Sequence, residues 1–179
     1  SIVTDQIETF TEKGLKLASG AELEADVIVT ATGLNLLAFG GLQMTVDGRE
    51  IDYGKTVGYK GMMLSGVPNM AYALGYTNAS WTLKVDLVCD YVCRLLNRLD
   101  ARGESICTPR GPDPSEPTEP FLNLASGYIQ RAVDHLPKQG TRAPWKLYQN
   151  YIRDLIDFRF GKLDGEGMEF TKAAGAPRS

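Results

Sequence analysis

The stretch "PNMAYALGYTNASWTLKVDLVCDYVCRLL", Pro68 to Leu96, carries the fold reading. It begins as a short apolar strand, passes through a glycine-bearing polar turn, "GYTNAS", and continues as an amphipathic helix. Val85, Val88, Val92, Leu95, Leu96 and Leu99 recur at the spacing of one buried helical face. Ser80 or Asn78 can cap the start, and Arg94 and Arg98 suit the negative end before Gly103. The first turn of this helix carries no charge. A helix start bears roughly half a positive charge and several unpaired N–H groups, so a neutral polar start is a place to hold something electron-rich.

Upstream the chain reads as β. "IVTDQIETFT" and "KGLKLASG" alternate loosely between apolar and polar residues, with "EKG" and "SGAE" as turns. "DVIVTATG", Asp26 to Gly33, is a continuous apolar run closing on small residues, as expected of a strand covered on both faces in a parallel sheet. Ligands of open α/β sheets bind at such carboxyl ends, where small side chains let backbone come close. Asp47-Gly48 within "QMTVDGREIDY" supplies the positive φ angles of a tight hairpin. The fold class expected is α/β.

Downstream, "TPRGPDPSEPTEP" holds five prolines in thirteen residues and reads as a linker without regular hydrogen bonding. "GYIQRAVDHL" and "APWKLYQNYIRDLIDFRF" read as two helices. The second is expected to start near Pro144 and to bury Trp145, Tyr148, Ile152, Leu155 and Ile156. The end, "GKLDGEGMEFTKAAGAPRS", reads as loose.

At 179 residues and 43% hydrophobic, the chain is long enough to bury a core. A net charge of −3 argues against a general nucleic-acid or anionic-membrane binder, although residues 130–179 hold nine Lys/Arg against six Asp/Glu. There is no apolar run of the ~20 residues that span a bilayer, and no signal-peptide pattern at the start, so a cytoplasmic location is expected. Opening on an apparent strand without an initiator Met suggests a piece of a longer protein. Cys89, Cys93 and Cys107 make neither a disulfide framework nor a metal set and read as small core fillers. His135 is the sole histidine, so a mechanism needing two has no place within this chain.

"DVIVTATG", the irregular insert after it, "YKGMMLSGVPNMAY", "GYTNASWTLK", "VCRLLN" and "PKQGTRAPWKLYQNY" together resemble the C-terminal part of flavin-containing monooxygenases of the Baeyer–Villiger type. The likeness covers nearly the whole chain. It implies a two-domain FAD/NAD(P)-binding Rossmann-like flavoprotein with a helical C-terminal tail. Residues 1–33 would end the inserted NADPH-binding domain, 34–106 would complete the FAD-binding domain, 107–120 would be the proline-rich linker and 121–179 the tail. The resemblance implies FAD and NADPH as cofactors, with Thr32, Gly33, Gly75, Tyr76, Thr77, Asn78, Ser80 and Trp81 at the flavin.

The implied reaction inserts one oxygen from O₂ into a ketone, or oxidises a sulfide, thioamide or nitrogen centre, through a C4a-peroxyflavin. Asn78, Thr77 and Ser80 would hydrogen-bond ring or ribityl oxygens, while Tyr76 and Trp81 would cover the ring against water. No G-x-G-x-x-G occurs, so the phosphate turns and the catalytic arginine are expected in an N-terminal region outside this sequence. The fragment alone is expected to be inactive. Two rivals stand beside this reading. One is a flavin-dependent reductase of the two-dinucleotide-domain type, which needs a redox-active cysteine pair. The other is a non-catalytic interaction module, a homo-oligomer held through Trp145, Tyr148 and Tyr151.

Overall fold

A computed structural model describes residues 1–122, 124 and 126–172. The chain divides into two compact units, residues 1–34 and 35–179.

The first unit is a three-stranded antiparallel meander: β1 (Ile7–Thr11), β2 (Gly14–Leu17) and β3 (Glu22–Glu24), in that order. Ile7 pairs with Leu17 and Thr11 with Gly14, so the "EKG" turn closes a hairpin as its residues suggest. The expected buried strand Asp26–Gly33 is not formed. Residues 25–33 pair with nothing in a ladder, and Val27 and Val29 are 78% and 84% exposed. An apolar run becomes a strand only where neighbouring strands take its N–H and C=O groups, and none of the described strands does so here.

The second unit mixes short antiparallel pairs with three α-helices among the described residues. β4 (Thr45–Val46) and β5 (Arg49–Glu50) flank Asp47 and Gly48, both at positive φ, as a tight hairpin requires. β6 (Gly58–Tyr59) pairs with β7 (Met63–Leu64) and places Tyr59 and Met63 in the core. The long helix α1 (Trp81–Arg102) forms where the periodicity places it and stops at Gly103, which is left-handed with φ 58°. Its buried face is Lys84, Leu87, Val88, Tyr91, Leu95 and Leu99. Leu96 is exposed, and so are Cys89 and Cys93; only Cys107 is a core filler. The two exposed cysteines lie on the side of α1 away from Lys84 and Tyr91, a rotation that the apolar count alone does not reveal.

The proline-rich stretch is tied at both ends. β8 (Ile106–Pro109) pairs with β11 (Met168–Thr171), and β9 (Thr118–Pro120) with β10 (Lys138–Gly140). Prolines at strand ends leave the other residues free to pair, so the composition overstated the irregularity. β11 also replaces part of the tail expected to be loose; residues 173–179 lie outside the described ones. The named strand pairs are all antiparallel, with one isolated parallel bridge between Val57 and Lys138. The structure is thus a mixed helix and strand fold. No helix among the described residues is long and apolar enough to cross a membrane.

α2 (Gly127–Ala132) matches the expected helix, but α3 (Tyr151–Phe160) starts seven residues later than Pro144. Asn150 caps it by accepting a hydrogen bond from the Arg153 N–H at 3.1 Å. α3 buries Asp154 and Phe158 while Ile152 and Ile156 stay exposed, so the expected stripe is also rotated. The residues before it build the core instead. Trp145 is 1% exposed and meets the Tyr59 ring edge-on at 5.3 Å. A Cβ on Gly167 would lie 2.4 Å from the Trp145 ring, so only a glycine admits the indole there.

This burial removes Trp145 from any subunit interface. Trp145→Ala should lower unfolding free energy by about 3–5 kcal/mol in urea titration, as for other buried aromatic truncations, with the oligomeric state unchanged.

Candidate functional site

The start of α1 and the turn before it are held by α3 and by Gln149, just ahead of it. Tyr76 is buried and donates its hydroxyl to Asp154 Oδ2 at 2.7 Å. The same oxygen receives the Lys84 ammonium at 2.7 Å. Thr77 donates its backbone N–H to Gln149 Oε1 at 3.0 Å, and Asn78 Nδ2 donates to the Gln149 carbonyl at 3.1 Å. Gln149 itself holds φ 51°, an uncommon conformation for a residue other than glycine. Gly75 backs onto Trp81: a Cβ there would come within 2.3 Å of the indole, so a side chain would force the turn apart.

Ser80 occupies the N-cap position of α1, yet its side chain caps nothing; its Oγ lies 2.9 Å from Thr82 Oγ1. The first turn contains no acidic residue. Thr77 to Leu83 are all exposed, Trp81 by 55%. The helix therefore offers its free N–H groups at an open surface with no charge of its own to compete.

Of the residues that sequence marks, Gly75, Tyr76, Thr77, Asn78, Ser80 and Trp81 are brought together in this one turn. Thr32 and Gly33 are exposed and belong to the first unit, which is described by itself. Lys84, Gln149 and Asp154 were missed. Lys84 could have been noticed: a lysine at the centre of a buried stripe demands a buried acid. Among the described residues, no group of His, Cys, Asp and Glu is arranged to hold a metal ion.

Beside Asp154 a second buried lysine, Lys60, meets Asp157 Oδ2 at 2.5 Å. Burial pushes the Lys84 ammonium below its ordinary value, and the hydrogen bond it donates to Asp154 opposes that. Burial, and then the neighbouring Asp154 carboxylate, hold the Tyr76 hydroxyl well above its usual range.

The chain is 55% identical over 171 residues to the FAD-containing monooxygenase EthA of Mycobacterium tuberculosis, and 54% identical over 171 residues to that of Mycolicibacterium smegmatis. It is 48% identical over 174 residues to the protein named "Probable FAD-binding monooxygenase AlmA" of Acinetobacter baylyi. Each match covers 96% of this chain and 35% of the relative. Over these residues the chain is similar to FAD-containing monooxygenases, and it spans about a third of the length of the relatives it matches. No family model matches it, and no solved structure does.

The tyrosine environment sets an alkaline limit. Tyr72, Tyr76 and Tyr91 all have hydroxyls raised above 10.0 by burial. The fold keeps them neutral while the unfolded chain ionises, so their contribution is complete below pH 10.0 and is lost as pH rises above it. Lys84 acts the other way, its buried charge costing less as pH approaches 10.5. Stability measured by urea midpoint should fall above pH 10.0, and Tyr76→Phe should flatten that fall by up to ~1.4 kcal/mol per pH unit.

Proposed function

We propose that this chain is the C-terminal part of an FAD- and NADPH-dependent monooxygenase of the Baeyer–Villiger type, and that Gly75 to Trp81 form one wall of its flavin site. The observation that carries the reading is the identity to FAD-containing monooxygenases over nearly the whole chain. The residues present fit the group: an exposed helix start, uncapped by its Ser80 side chain and free of acidic residues, suits an electron-rich ring edge. FAD, reduced by NADPH, would supply the activation of O₂ and the transfer of one oxygen atom to a ketone, sulfide, thioamide or nitrogen centre.

The chain's own residues have distinct parts in this reading. The N–H groups of the first turn of α1 hold negative charge on the cofactor. Thr77 Oγ1 and Asn78 Nδ2 are engaged by Gln149, so they shape the turn rather than touch the ring; Asn78 Oδ1 keeps acceptor capacity. Tyr76 is anchored inward, and the exposed Trp81 indole remains to cover the cofactor and exclude water. The apolar run Val27 to Val29 would find its neighbouring strands in the N-terminal FAD/NADPH-binding region, and Thr32 and Gly33 would lie at the junction of the two dinucleotide-binding domains. The domain divisions at 33, 106 and 120 belong to the same proposal, as does a cytoplasmic location.

Ser80→Asp separates a flavin wall from an ordinary helix end. In the native full-length protein, a carboxylate at this position caps the helix but sets negative charge against the cofactor. FAD affinity, measured by fluorescence titration of the apoprotein, should fall about tenfold, equal to ~1.4 kcal/mol, while uncharged Ser80→Asn retains it. Unchanged affinity in Ser80→Asp refutes the placement. Residues 1–179 alone should oxidise no NADPH; measurable oxidation refutes the dependence on a further domain.

A further inference from the structure

A cavity of about 360 Å³ opens between α3, the segment 143–149 and the inner side of the turn at Gly75 and Tyr76. Much of its wall is carbon, from Leu74, Pro144, Leu147, Ile156 and Phe160. Its charged lining is out of balance. Lys60 pairs with Asp157 and Lys84 with Asp154, while Lys146 pairs with Glu119. Arg153 lines the cavity, and among the described residues no carboxylate lies within ion-pair distance of it. Its guanidinium carbon instead lies over the Tyr148 ring, 3.3 Å from the centroid. One positive charge is left over.

Hydrogen-bond capacity points the same way. Each ammonium has three donors, and Lys60 and Lys84 direct one each to a carboxylate. Both are more than nine-tenths buried. The Lys84 nitrogen lies 4.0 Å from the Phe158 ring centroid, a face that accepts no full hydrogen bond. Unused donors in an apolar wall invite acceptor oxygens.

We propose that this cavity binds a small monocarboxylate with an apolar tail, its head on Arg153 and the unused lysine donors and its tail along Leu74, Leu147 and Ile156. A carboxylate matches both the single surplus charge and the planar two-pronged fork of a guanidinium. A phosphate would bring more charge than the lining balances, and a neutral ketone would leave Arg153 uncompensated. The volume falls in the range of small-ligand pockets. This inference goes beyond the flavin reading and does not rest on it, because the head group is held on the inner side of the turn by Arg153, Lys60 and Lys84 side chains and not by the N–H groups at the start of α1.

Calorimetric titration of octanoate and of octanol into the native full-length protein tests it. Octanoate should bind to saturation and more tightly than octanol. Arg153→Gln, a change at an exposed position whose backbone cap is untouched, should weaken octanoate about tenfold or more, as for loss of a charged hydrogen bond, and leave octanol within about twofold. Ile156→Trp, which fills the cavity from its rim, should abolish binding of both. No saturable octanoate binding, octanol bound as tightly as octanoate, or octanoate affinity unchanged in Arg153→Gln would each overturn the assignment. FAD content has no bearing on these outcomes, so failure here is distinct from failure of the flavin reading.

Discussion

The second unit depends on one buried carboxylate. Asp154, in the first turns of α3, takes the Lys84 ammonium of α1 and the Tyr76 hydroxyl on a single oxygen. Taking two charges out of water is costly, and a buried pair often adds little net stability over apolar packing. What it adds is position. An apolar contact between α1 and α3 could slide by part of a turn, whereas a lysine that must find one oxygen fixes both rotation and height. Removing either partner leaves the other charge buried and unpaired, so each position depends on the other. Asp157, three residues on, repeats the device with Lys60 and ties the β6–β7 hairpin to the same helix.

Positional control passes from α3 to the polar turn through a short series of contacts. Asp154 holds Tyr76, Gln149 holds Thr77 and Asn78, and Gly75 admits Trp81 against the backbone. Each of these anchors lies on the side of the turn facing α3, which leaves Ser80 and the first N–H groups of α1 on the open side. A helix start displayed this way is fixed before any ligand arrives, and fixed dipoles stabilise developing charge without reorganising. The Gln149 backbone, in a left-handed conformation that costs about 1 kcal/mol or more, is held there by the same hydrogen bonds that position the turn.

Apolar periodicity made α1 legible from Trp81 to Arg102, and Asp47-Gly48 made its hairpin legible, because both signals are local. The uncharged character of the turn Gly75 to Trp81 was legible for a related reason: its lack of charge is visible in the letters. The turn's supports were not, since Asp154 and Gln149 lie about seventy residues away and contact order cannot be read from spacing. α3 was misplaced because Pro144 imitates a first helical position and Trp145 imitates the start of a stripe, while the chain uses both in the non-helical segment that roofs the core. The cysteines were misjudged for want of one fact. With Lys84 taken as outward, the α1 face turns far enough to carry Cys89 and Cys93 inward; with Lys84 inward, they point out.

The inward lysines also constrain what a neighbouring ligand can be. Lys60 and Lys84 each keep their partner on a different turn of α3; Lys84 cannot swing to a new anion without stranding Asp154 in a low-dielectric wall, and the enclosed Lys60 is already paired with the half-exposed Asp157. Any head group in the adjoining cavity must therefore add to the existing pairs. Arg153 differs because its charge rests on an aromatic face rather than on a carboxylate, and a guanidinium can keep that contact while its N–H edge accepts a second partner. The division of labour follows from burial: the enclosed lysines lock α1, α3 and the hairpin together, and the exposed arginine on the same lining is the cation free to respond.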